Sequence, residues 1–272
     1  MLEIRGGPGR ISLAALRELW LFREVLAAFV VRHVKVRYKQ AAVGIGWAIL
    51  QPVIAAALFA VFLGRLVDVP SEGSPYLLFA LAGMVAWNYF SSAAGAAIDS
   101  LVTDQALIRK VYFPREVLPL ASVAAAVVDF LAALATLLVA AWLYGAAPAV
   151  QWLALPLSLL LLVLAAAAFG LGLSAVNVYY RDVRYAVPFL LQIGLFASPV
   201  VYSLSAVPEG WREPYAILNP IAAAIDGVRR VVLHHEWPDV TLTAGAFAWT
   251  LLLLLAGYTC FKRLERGFSD RI

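Results

Sequence analysis

The run His234-His235-Glu236-Trp237 is the densest grouping in this sequence of side chains that bind metals or move protons. Neighbouring histidines point apart on a helix, whereas a zinc site of the H-E-x-x-H kind needs imidazoles at i and i+4 on one face. The run is therefore expected in a solvated loop, with no metal. Acid–base chemistry on a sugar or a headgroup needs paired carboxylates or an acidic cluster around a metal. The acids here are scattered: Asp99, Asp104, Glu116, Asp129, Asp182, Glu209, Glu213 and Asp226. Cys260 is the single cysteine, so no internal disulfide can form. No G-x-x-x-x-G-K-[ST] loop is present to cradle nucleotide phosphates. No residue is assigned as catalytic, and a membrane enzyme acting on polyprenyl-linked sugars would lack its usual cluster.

The elements that hold these residues are mostly apolar. Of 272 residues 63% are hydrophobic and 14% charged, and the mean hydropathy is +0.85. That leaves too little polar surface to cover a water-soluble globule. The chain reads as an all-α integral membrane protein of one domain, 1–272. Six stretches are long enough to cross a core of roughly 30 Å: 42–64, 76–98, 117–144, 152–176, 185–203 and 243–261, a bundle over 42–261 with a tail at 262–272. Pro52, Pro119, Pro156, Pro188 and Pro199 fall inside them and are expected to mark kinks. All but Arg65, Arg212, Arg229 and Arg230 of the 21 Lys and Arg lie on one side of this arrangement. The positive-inside rule places that side, and both termini, in the cytoplasm. The net charge of +4 is spread between apolar blocks, which excludes a nucleic-acid face. A long charged stretch before the first apolar run argues against a cleavable signal.

Three segments lie outside the spans. Residues 13–36 are expected to form an interfacial helix, with Trp20 and Leu26 toward the acyl boundary and Arg23 obliged to snorkel. It ends in the cationic collar Lys35, Arg37 and Lys39, expected to hold the junction at the anionic inner leaflet, each charge worth about 1 kcal/mol. Residues 208–233 are expected to be re-entrant on the external side. Within them Asn219 caps a helix, Pro220 opens it, and Ile221, Ile225, Val228 and Val232 form one stripe, about 22 Å long and too short to cross. The second cytoplasmic loop, TDQALIRKVYFPRE, has Thr103 as a cap, Leu107, Ile108 and Val111 as an apolar edge, and Pro114 as a stop. If transport is ATP-driven, the missing nucleotide loop calls for a separate ATPase and this segment is expected to dock it; a plain basic loop is the other reading. Asp129, well inside the third span, must pair, protonate or face water. Trp47, Trp87, Tyr89, Phe90, Phe196 and Tyr202 have rings that can stack on pyranose faces, and each serves equally well in an interfacial belt or a core.

The motifs RYKQAAVGIGWAILQP (37–52), FPREVLP (113–119), NVYYRD (177–182), SPVVY (198–202) and LNP (218–220) occur in order along the chain. Together they resemble the membrane subunit of polysaccharide-exporting ABC transporters, which handle O-antigen, capsule or teichoic acid. The resemblance runs from about residue 13 to the tail. It implies a homodimer in the bacterial inner membrane with two copies of a cytoplasmic ATPase subunit that binds the ATP and Mg²⁺, so that this chain needs no cofactor. The cargo would be an undecaprenyl-linked glycan. The resemblance also gives the segment around Asp104, Leu107, Ile108, Arg109, Lys110, Val111 and Arg115 as the coupling helix. It gives Arg37, Tyr38, Gly44, Pro52, Asn177, Arg181, Asp182, Pro199, Asn219 and Pro220 as family-motif positions, Arg181 and Asp182 fixing the turn after the fourth span. Export of a drug or a lipid is the alternative within the same superfamily.

Overall fold

The computed structural model describes residues 13–39, 43–180 and 182–270, and among these all regular structure is helical. Two short helices come first, α1 (Leu13–Leu21) and α2 (Arg23–Tyr38), broken at Phe22 where one helix was expected. Neither floats free on the bilayer surface. Leu19, Phe22, Val25, Leu26 and Phe29 pack against Val117, Leu118, Phe261 and Phe268 of later elements. Trp20 is left exposed, with the Arg23 guanidinium 5.4 Å above its ring.

Among the described residues, five helices are long and apolar enough to cross a membrane. They are α3 (Gly46–Phe59, prolonged by a wider π-helical turn over Ala60–Leu66), α4 (Tyr76–Thr103), α6 (Val117–Leu143), α7 (Leu155–Tyr179, entered through a 3₁₀ turn over Val150–Ala154) and α11 (Val240–Leu264). Between them stands α5 (Gln105–Lys110), and a 3₁₀ segment over Glu265–Asp270 follows α11. α4 is the centre of the bundle, buried along most of its length by α3, α6, α7 and the later helix α10 (Pro220–Arg229). α7 and α11 meet at backbone distance. A Cβ on Gly257 would overlap the Ala168 carbonyl, and one on Gly172 would stand 3.2 Å from Gly257 Cα. Such small-residue crossings let dispersion bind helices where lipid supplies no hydrophobic drive.

The stretch expected as a crossing over 185–203 is α8 (Val183–Ala197), 15 residues long. At 1.5 Å per residue it reaches about 22 Å. It stops because Ser198 precedes Pro199 and takes the extended backbone, φ −111° and ψ 152°, that a proline imposes on its predecessor. The kink expectation is corrected in the same way. Of those five prolines, only Pro52 and Pro188 lie in helix interiors. Pro119 and Pro156 occupy first turns, where a missing N–H costs nothing, and Pro199 lies beyond a helix end.

The segment after α8 folds as a helical hairpin, α9 (Glu209–Leu218) and α10 (Pro220–Arg229), the latter running on through a π turn over Arg230–His234. Asn219 caps α10 through its side chain, Pro220 opens it, and Ile221, Ile225, Val228 and Val232 are all buried. His234 and His235 are half-buried while Glu236 and Trp237 are exposed in the loop that follows, so the solvated loop expected there holds for the second half of the run. His235 turns into left-handed backbone at φ 55°, and His234 Nε2 stands 3.4 Å from Glu72.

Candidate functional site

At the end of the bundle where α4 hands over to α6, the loop expected to dock a partner is tied down on both sides. Asp104, not Thr103, occupies the cap position of α5, and Thr103 is the last residue of α4. The Asp104 carboxylate does not cap the helix. It reaches sideways to α2, accepting from Arg32 at 2.8 Å and lying 3.5 Å from His33 Nε2, while His33 Nδ1 stands 3.4 Å from Ser122 Oγ on α6. The hydrogen bond from His33, joined by the bond and charge of Arg32, holds this carboxyl below the usual carboxylate range against the opposing effect of burial. At the far side, Arg115 donates to the Glu265 carbonyl at 2.9 Å and lies 5.5 Å over the Phe268 ring. Glu116 is buried and accepts from Lys262 at 2.9 Å. Arg115 and Asp104 thus face inward as braces. The surface left outward is Arg109, Lys110, Val111 and Tyr112, the last 72% exposed, with Leu107 and Ile108 half-buried beneath.

Of the cationic collar, Lys35 and Lys39 are exposed, and Arg37 alone departs from the expectation. Arg37 pairs with Asp129 on α6, and Tyr38 donates to the same carboxylate, so this charge serves a helix and not the lipid surface. Asp129 is therefore paired. The pair lies in a cavity of about 310 Å³ between α3, α4 and α6, which Gly44, Trp47, Gln51, Asn88 and Tyr89 also line. Gly44 sits at φ 56°, a conformation that glycine adopts without strain and that turns the chain into α3.

The six rings are divided among several places. Trp47, 50% exposed, and Tyr89 share the Asp129 cavity, although Tyr89 is itself buried, donating to the Val123 carbonyl with its ring edge-on to Phe130. Trp87 and Phe90 are core residues of α4 and wall a second, apolar cavity of about 310 Å³ with Phe169 and Leu190. Phe196 is 59% exposed on α8. Tyr202 shares a hydrogen bond with Tyr215 at 3.0 Å. Of the motif positions, Pro52 is buried in α3. Asn177 binds back to α4, donating to the Ile98 carbonyl and to Asp99. Asp182 stands at the start of α8 without a side-chain cap bond, and Arg181 lies outside the described residues, so Asn177 is the residue seen to anchor that turn.

The motifs SPVVY and LNP come together at the break after α8. Asn219 donates to the Ala197 carbonyl and to Ser198 Oγ, and Tyr215 donates to the same carbonyl at 2.7 Å. A family model described as "ABC-2 type transporter" matches residues 24–233, a range that takes in both motifs. The chain belongs to that family. Curated relatives cover nearly its whole length. The O-antigen export system permease protein RfbA of Myxococcus xanthus is 28% identical, over 94% of this chain and 98% of its own. The protein of that name from Klebsiella pneumoniae is 26% identical, over 96% and 99%. The polysialic acid transport protein KpsM of Escherichia coli is 22% identical, over 88% and 93%.

One residue of this ABC-2 transporter chain that sequence reasoning placed merely among the external charges proves central. Arg229 on α10 is 2% exposed. Its guanidinium donates to the carbonyls of Pro199 (2.8 Å), Val200 (2.6 Å), Tyr202 (3.1 Å) and Phe79 (3.2 and 3.3 Å) and lies 3.4 Å from the Phe79 ring centroid. The break after α8 leaves carbonyls without helical partners, and a planar fork of five donors gathers them. Gly83 makes room, since a Cβ there would overlap the Val200 carbonyl. A signal was present in the sequence: 221, 225 and 229 continue one i, i+4, i+8 series on the apolar face of α10.

Proposed function

We propose that two copies of this chain form the transmembrane path of an ATP-driven exporter, moving an undecaprenyl-linked, O-antigen-like polysaccharide outward across the bacterial inner membrane. Two copies of a separate cytoplasmic subunit bind the ATP and Mg²⁺ and hydrolyse the nucleotide. The observation that carries this is α5, which presents Arg109, Lys110, Val111 and Tyr112 from a segment braced to α2 and to the end of α11. A loop that merely connected two spans would gain nothing from being tied at both ends. In this reading the basic end faces the cytosol, both termini lie there, α8 is the fifth of six crossings, and α9–α10 is an external re-entrant hairpin. The cargo is supported by the names of the relatives, which specify O-antigen export or polysialic acid transport. A second copy is supported by α8, which buries only Val187 fully and leaves Phe189, Leu190, Ile193 and Phe196 exposed on a helix that this reading sets across the bilayer.

Co-purification tests the docking face. The tagged chain, expressed with the ATPase subunits of its host, is expected to retain one of them and to lose it in the double variant Arg109→Glu/Lys110→Glu. Retention by the folded double variant overturns the assignment of α5. Export of a lipid is a second reading, favoured by the apolar cavity that Trp87, Phe90, Phe169 and Leu190 wall. Accumulation of undecaprenyl-linked polymer inside cells lacking the chain distinguishes the two.

A further inference from the structure

The cavity between α3, α4 and α6 is explained neither by coupling nor by packing. Gln51 lies within the first half of α3, and Asn88 and Asp129 lie midway along α4 and α6, so its polar groups sit inside the slab that these helices cross. Gln51 and Asn88 line it, and among the described residues neither side-chain amide has a hydrogen-bond partner. Amides stranded in hydrocarbon are costly, so polar groups at this depth face a protein interior or water. Trp47, half exposed one turn earlier on α3, lines the same cavity.

The charge of the cavity is closed. Arg37 is its one cationic lining residue, and it is spent on Asp129, which also accepts from Tyr38. An anionic ligand such as a phosphate would find no unpaired cation and would meet a carboxylate. An apolar ligand would leave the two amides and the ion pair unsatisfied. The groups present suit a neutral polyhydroxylated ring, with an indole to stack on its C–H face and amides and an ion pair to exchange hydrogen bonds with its hydroxyls. The volume, about 310 Å³, is at the small end of ligand cavities, roughly 300–1,000 Å³, and fits one or two such rings.

We infer that this cavity is a hydrated subsite for a neutral pyranose unit of the cargo, with Trp47 as stacking platform and Gln51, Asn88 and the Arg37–Asp129 pair as hydroxyl partners. The identity of the cargo rests on the export reading above; the hydration does not. The thiolate, not the thiol, reacts with a methanethiosulfonate, so a cysteine reports on local water. The test uses the full chain in lipid nanodiscs, with Cys260→Ser as background and a charged methanethiosulfonate as reagent. Gln51→Cys is expected to react about tenfold or more faster than Ile54→Cys, whose residue on the same helix is 50% exposed. Maltoheptaose near its Kd is expected to slow that reaction about twofold, with sodium phosphate at equal ionic strength having no effect. Trp47→Ala removes the protection, and Trp47→Phe keeps it. Equal rates at Gln51→Cys and Ile54→Cys overturn hydration. Fast reaction without sugar protection, or protection by phosphate, overturns the sugar subsite while leaving ATPase docking and export untouched. Spontaneous disulfide-linked dimers of Gln51→Cys place the amide at a seam between copies and also overturn it. If Gln51→Cys fails to fold, Asn88→Cys gives the same readout from α4.

Discussion

Single side chains settle how this chain ends a helix inside a bilayer-sized bundle. Asp129 was legible in the sequence because a carboxylate amid apolar residues must be compensated, and the structure supplies the compensation from Arg37 and Tyr38. Which residues would supply it was not legible, since Arg37 reaches α6 from another helix, 92 positions away. Arg229 was missed because it stands next to Arg230, which is half exposed and paired with Asp226 at 2.8 Å, the behaviour expected of both. Replacing Arg229 with alanine strands the carbonyls of Phe79, Pro199, Val200 and Tyr202, and a loss of about 3–5 kcal/mol is expected. Arg229→Lys keeps the charge but not the fork of donors, and is expected to recover only part of that loss. Thermal unfolding of the purified chain in detergent measures both.

Elements were easier to find than their ends and their neighbours. Runs of apolar residues near twenty long announced α3, α4, α6, α7 and α11, because hydrocarbon thickness alone dictates that length. α8 ends at Ala197, six residues short of the expected limit at 203, because Pro199 stops the helix at Ser198 and does not kink it. The ties around α5 were invisible for a different cause. Lys262 and Glu116 are 146 positions apart, and nothing local in either stretch names its partner. Asp104→Ala is expected to free α5 from α2 without unfolding the bundle, seen as faster amide exchange confined to residues 105–110. The acid form of the same tie has a defined sign. The folded carboxyl titrates below its ordinary 3.8, so the contribution of Asp104 is complete above that value and is lost as pH falls through the lower folded one. Exchange at 105–110 is therefore expected to be insensitive to this carboxyl throughout the neutral range and to quicken only in strong acid.

The molecule as a whole carries its burial unevenly. α4 is enclosed by its own chain, whereas α8 shows most of its side chains to the outside. In the dimer proposed above, the exposed face of α8 is where the second copy would lie. In a Cys260→Ser background, Ile193→Cys is expected to give cross-linked dimers with a short bifunctional thiol reagent in native membranes. Leu153→Cys, on the similarly exposed turn before α7, is expected to give none. Absence of cross-linking at Ile193 together with a monomeric mass in detergent would remove α8 from the seam.

The brevity of α8 bears on leakage. In the six-crossing reading proposed above, the about 22 Å of α8 falls some 8 Å short of a core of roughly 30 Å, so insulation in that sector falls to other material. The hairpin α9–α10, clasped to the broken end through Tyr215, Asn219 and Arg229, is what stands there. The resting seal against protons is then only as good as that clasp. Gly83→Val, which pushes the Val200 carbonyl off Arg229, should discharge the proton gradient of energised vesicles even with no ATP and no cargo supplied.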